Sequence, residues 1–203
     1  MGLSIEIRAL HPGEEDEAAR ILARGMRDNP VHVQALGADA DHRTRLLESI
    51  FGAIVRQQVS RGVVLGAFLH AELVGVGGMM PPGQCPSALS GKVTALAALA
   101  LGSGLGNSRR VLQWLNDWAD TDAPVEHWHL GPMAVAPHLQ GQGIGSALLR
   151  ESCRRIDADG RAAYLENDTA ANLPLLERFG FEVREEHDVL GTPHWFMLRA
   201  ARG

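Results

Sequence analysis

The chain has 203 residues, 45% of them hydrophobic and 21% charged, which excludes global disorder and fits one domain. Its 19 basic and 24 acidic side chains leave a net charge of −5, which argues against a nucleic-acid or anionic-membrane partner. Two cysteines, Cys85 and Cys153, are too few for a disulfide scaffold or a cysteine-rich zinc site. The opening MGLSIEIRALHPGEE lacks the layout of a secretory signal. The longest apolar run, Val93–Leu101, falls short of the ~20 residues of a spanning helix. A cytoplasmic protein without a membrane segment is expected.

In chain order, Ser4–Ala9 alternates as a half-buried strand. Glu14–Met26 reads as a helix with acids in its first turn, stopped by Asp28-Asn29-Pro30. Asp41 is the expected N-cap of a second helix through Gln57, with Leu46, Leu47, Ile50 and Ile54 at helical spacing. Val63–Leu69 and Leu73–Met80 form a hairpin through His70-Ala71-Glu72. Residues 86–120 suggest two helices broken near Gly102–Gly106. Val125–Val135 is a fourth strand that Gly131-Pro132 should bend or bulge. A helix over Gly143–Ala158, a strand over Ala162–Glu166, a short helix over Asn172–Phe179 and strands over Phe181–Glu186 and His194–Arg199 complete one mixed α/β domain, residues 1–203, with a helical insertion at about 82–124.

The chemistry concentrates at the junction of the fourth strand and the next helix. Gly141, Gly143 and Gly145 open that helix, where free N–H groups and the helix dipole bind anionic oxygens. Gly141, Gln142, Gly143, Ile144, Gly145 and Ser146 therefore read as a backbone cradle for a diphosphate; the alternative is a turn that only eases helix–strand packing. A P-loop is excluded, because Pro86 stands where Lys92 would require a glycine. A dinucleotide fingerprint fits poorly. Ser146 replaces its last Gly or Ala, and Pro137–Gln140 separates strand from glycines.

Val135-x-Pro137-x-x-Gln140-Gly141-x-Gly143-x-Gly145 resembles motif A of the GNAT superfamily of acetyl-CoA-dependent N-acetyltransferases. Asn172–Phe181 resembles the family's motif B, and Tyr164–Met197 is similar to the branch containing puromycin N-acetyltransferase. The resemblance implies the GNAT fold, a mostly antiparallel twisted sheet flanked by helices whose fourth and fifth strands splay apart. It implies acetyl-CoA as cosubstrate, with the pantetheine arm paired to the backbone of Met133, Ala134 and Val135, the diphosphate on Gln140–Ser146, and no metal. An amine attacks the acetyl group, so a base and an acid are required. The family's tyrosine acid falls at Leu176 here, and Tyr164 is the chain's one tyrosine.

Glu166, on the fifth strand, is the first candidate for general base or amine anchor, and His129 the second; an exposed acid and a hydrogen-bonded strand histidine are the bland alternatives. His127 and His129 share a face by the two-residue period, but no third ligand has metal spacing. Asn172 either bonds the pantetheine arm or caps its helix. Trp114, Trp118 and Trp128 line an acceptor pocket or pack in the core. The expected activity is acetylation of a primary amine on a small molecule by a monomer or homodimer. The rivals are a non-catalytic acyl-CoA-binding module and a nucleotide-dependent oxidoreductase.

Overall fold

The computed structural model describes residues 4–84, 110, 111, 113, 114 and 125–202. The helices expected over 86–120 lie outside these apart from 110, 111, 113 and 114, as do Cys85 and Trp118. The chain begins with β1 (Ile5–Ala9), α1 (Glu15–Gly25), α2 (Pro30–Leu36) and α3 (Ala40–Arg61). The hairpin strands β2 (Val63–Leu69) and β3 (Glu72–Met80) follow, then β4 (His127–Val135), α4 (Ile144–Asp159) and β5 (Ala162–Asn167). The chain closes with α5 (Leu173–Arg178), β6 (Glu182–Val189) and β7 (Thr192–Arg199).

The seven strands of the described residues form one sheet in the order β1-β2-β3-β4-β5-β7-β6. Neighbours are antiparallel except β4 and β5, which run parallel. Helices cover both faces. On one, Leu22, Leu36, Leu47 and Phe51 pack with Phe68, Tyr164 and Phe196. On the other, Ile144, Leu148 and Ile156 of α4 pack with Leu65, Val74, Leu165 and Met197. Two covered faces explain why β2 and β3 are apolar almost throughout rather than alternating. Among the described residues no helix is long and apolar enough to cross a membrane.

Two expectations are corrected. Pro30 does not merely stop α1; it opens α2 at a first-turn position, where a missing N–H leaves no bond unmade. The N-cap of α3 is Asp39, not Asp41: Asp39 Oδ1 accepts from the N–H groups of Asp41 at 3.0 Å and His42 at 2.9 Å. His70 and Ala71 turn the β2–β3 hairpin at φ 50° and 68°, the left-handed pair that matches strand twist.

Candidate active site

β4 and β5 pair only from His127↔Ala162 to His129↔Tyr164. Beyond that point β4 stays with β3 through Met133↔Gly77, Ala134↔Val76 and Val135↔Gly75. β5 stays with β7 through Leu165↔Met197 and Glu166↔Phe196. The strands therefore part in a V, and residues 130–135 keep one edge unpaired with any strand among the described residues. The bulge expected at Gly131-Pro132 is present: β3 steps from Gly77 to Met79 while β4 steps from Met133 to Leu130. Gln58 of α3 donates its amide to the Gly131 carbonyl at 2.6 Å, which fixes the bulge against the helix layer. At the far end of β4, Gly25 is required by close approach. A Cβ there would lie 2.8 Å from both Ala134 Cβ and the Val135 carbonyl oxygen.

The glycine loop sits at the open end of the V. Gly141 and Gly143 take φ 76° and 84°, and a Cβ at either would meet nothing within 4 Å. Gly143 is the N-cap of α4 with no side chain bonding to the helix end. The first helical bond is Ala147 N–H to the Gly143 carbonyl, so the N–H groups of Ile144, Gly145 and Ser146 precede it. Open space over uncapped N–H groups fits a diphosphate. Gln140 donates to the Val135 carbonyl at 3.1 Å and so ties the loop to β4. Gln142 donates instead to the His138 carbonyl at 3.5 Å.

A cavity of about 960 Å³ runs from this loop into the V and on beneath α1–α3; it is lined by Met133, Ala134, Val135, Gln140, Gly141, Gly143, Ile144, Gly145, Ser146 and Asn172. Both catalytic candidates line it, and the fold brings them together. His129 Nε2 lies 3.0 Å from Glu166 Oε2, at the point where pairing of β4 and β5 ends. A carboxylate only accepts, so Nε2 carries the proton in this contact. Their side chains are 25% and 12% exposed, sheltered but reachable. His127 does not join them; its Nδ1 donates to the Val125 carbonyl at 2.7 Å. Asn172 makes no cap and bonds Asn167 Oδ1 at 3.2 Å. Leu176 is buried in the cavity wall. Trp114 lines the cavity, whereas Trp128 donates to Asp159 at 2.8 Å.

Sequence reasoning did not find His32, Gln58, Asp168 and His194, which also line the cavity. His32, Gln58 and His194 lie far in sequence from the glycine motif and arrive on α2, α3 and β7, whereas Asp168 directly follows β5. The one usable signal was Asp168 itself, a carboxylate two residues after Glu166 and thus on its side of the sheet.

A model of the acetyltransferase (GNAT) domain matches residues 102–183. A Corynebacterium glutamicum structure described as histone acetyltransferase HPA2 and related acetyltransferase superposes with a TM-score of 0.74 at 20% identity, covering 99% of this chain and 98% of that one. The fold is that of the GNAT acetyltransferases. The GNAT architecture also appears in a Brucella melitensis GNAT-family acetyltransferase in complex with acetyl-CoA (TM-score 0.52, 18% identity, coverage 97% and 87%). PaiA N-acetyltransferase from Thermoplasma acidophilum, in complex with coenzyme A, is similar too (TM-score 0.58, 17% identity, coverage 98% and 99%).

Proposed function

We propose that the protein transfers the acetyl group of acetyl-CoA to a primary amine of a small molecule, by direct attack while both substrates are bound. One observation carries this reading. The His129–Glu166 pair stands at the apex of the V, inside the same cavity as the glycine loop. A thioester bound along the V supplies an activated acetyl group, and the protein supplies everything else. Backbone N–H groups of Ile144, Gly145 and Ser146 hold the diphosphate, and the free edge of Met133–Val135 orients the arm.

An alkyl ammonium has a pKa near ~10.4 and must lose a proton before it attacks. Glu166 accepts that proton, directly or through water, or holds the cation at the cavity mouth until solvent takes it. His129 donates its Nε2 hydrogen to Glu166, keeps the carboxylate turned into the cavity, and is the second candidate base. The leaving thiolate needs less help, since a cysteine-like thiol has a pKa near ~8.5 and water can protonate it. That accommodates Leu176 at the family's tyrosine position. The likeness of Tyr164–Met197 to the puromycin N-acetyltransferase branch supports a small-molecule acceptor.

The test is release of CoA thiol from acetyl-CoA on adding a panel of primary amines, with acetylated product identified by mass. Amine-dependent release supports the reading. Tight CoA binding with no release for any amine would leave a binding module instead.

A further inference from the structure

The acceptor half of the cavity has a one-sided polar character. Among the described residues that line it, Glu166 and Asp168 are the carboxylates. Among the described residues that line the cavity, Arg178 is the one lysine or arginine, and it stands on α5 beside Asn172 and Leu175. Asp168 is fixed: its Oδ1 accepts from Asn29 Nδ2 at 2.9 Å and from Thr169 Oγ1 at 3.1 Å, and its Oδ2 faces Val31 N–H at 3.4 Å.

Two buried histidines join these carboxylates. His32 Nδ1 lies 2.7 Å from the Met26 carbonyl, and His194 Nδ1 lies 3.0 Å from the Thr192 carbonyl. A carbonyl oxygen only accepts, so both rings carry their proton on Nδ1 and, when neutral, present Nε2 as a bare acceptor. Burial pushes the His32 imidazolium down, which keeps that ring neutral. His194 Nε2 is buried and has no hydrogen-bond partner among the described residues. Such orphans are rare in native structures, and His194 is one of the residues that line the cavity. Between these groups the walls are apolar: Ile50, Phe51, Ile54 and Trp114.

Resting on the acetyltransferase reading, we propose that the acceptor is an amine with an apolar or aromatic body, a second hydrogen-bond donor that reaches His194 Nε2, and no carboxylate. Glu166 takes the reacting amine. Phe51 and Trp114 cover the body. Asp168 sets a negative field that favours a second ammonium or hydroxyl and repels an acid. An amino acid would place its carboxylate beside Glu166, with no lysine or arginine of α1–α3 in the cavity lining to offset it.

The experiment measures kcat/KM of the full chain with acetyl-CoA on three matched series with one to four methylenes in the side chain. These are ω-phenylalkylamines, their 4-hydroxy and 4-aminomethyl counterparts, and the corresponding α-carboxylates. CoA affinity is followed by calorimetry. The best donor-bearing amine should exceed its plain counterpart by about tenfold, and carboxylates should fall about 100-fold or more below the amines. In His194→Leu the preference should vanish, the kcat/KM ratio of donor-bearing to plain amine falling to about one. If His194→Leu fails to fold, the wild-type ranking alone decides. Amines acetylated without regard to donor or carboxylate, or carboxylates preferred, would overturn this proposal and leave the acetyltransferase reading standing. CoA binding with no amine acetylated would overturn both.

Discussion

Glu166 and His129 belong to different strands, and only the parting of β4 from β5 makes their contact useful. Had the strands remained paired, the His129–Glu166 hydrogen bond would be a buried link with no room for a substrate. Instead the pair ends a register that stops at His129↔Tyr164 and faces a cavity. Leu176 of α5, which lines the same space at the family's tyrosine position, can neither donate nor accept a proton. Leu176→Tyr should therefore keep or raise turnover, because a phenol in that wall adds a proton donor for the departing thiolate. The rate of the unaltered protein should lack the high-pH limb near ~10 that a tyrosine acid would give. The pH–rate profiles of both proteins check this. If Tyr164→Phe stops the reaction in a folded protein, the acid lies on β5 instead.

At the scale of elements, α4 is held at both ends for different reasons. Its N-terminus has no side-chain cap, which in the proposed function leaves its N–H groups to the diphosphate. Gly145 has an ordinary helical φ, and its Cβ would stand 3.8 Å from Val135, so Gly145→Glu adds bulk and negative charge without backbone strain. CoA binding by that variant should fall below detection in calorimetry while its thermal unfolding stays near that of the unaltered protein. Unchanged affinity would remove the diphosphate from this loop. Near its C-terminus, Asp157 grips Arg199 of β7 at 2.6 and 2.8 Å, and Arg199 also donates to the Phe179 carbonyl at 2.8 Å. Arg199 is 2% exposed, so Asp157→Ala leaves a guanidinium buried without its countercharge. The expected loss is about 2–3 kcal/mol, at the low end for a broken buried pair because Asp157 is 35% exposed and water screens it. Arg199 holds the Asp157 carboxyl below its usual pKa. Its stabilisation is thus complete above the unfolded value of ~3.9 and lost as pH falls through the folded one. Urea midpoints of the two proteins should converge as pH drops below about 3.9. A gap that does not narrow would mean the carboxylate is not the source.

These elements also show what was legible in the sequence. The glycine spacing before α4 is a local signal, so the loop could be anticipated; the V was expected only from the family resemblance, and the contact of His129 with Glu166 was not anticipated, because the two lie on different strands. The helix α2 could not be anticipated, because Pro30 reads equally as a stop or as a first turn. Asp39 lost to Asp41 as cap for a similar reason: both are acids near the same helix start, and only backbone direction separates them. His32 and His194 were invisible because their meeting depends on the packing of α2 against β7.

For the molecule as a whole, the account makes one cavity serve two substrates, with Glu166 at their junction. The direct measurement is amine-dependent release of CoA thiol by the unaltered protein and by Glu166→Gln, from about pH 6 to 9 so as to bracket the ~6.5 of a histidine, with CoA affinity determined on both. The account predicts turnover by the first, a loss toward the low end of the ~100- to 10,000-fold range for removal of a general base, and equal CoA affinity. His129→Ala in the same assay should lose less. Near-equal rates of Glu166→Gln and the unaltered protein across that range would contradict the account and make Glu166 a structural residue.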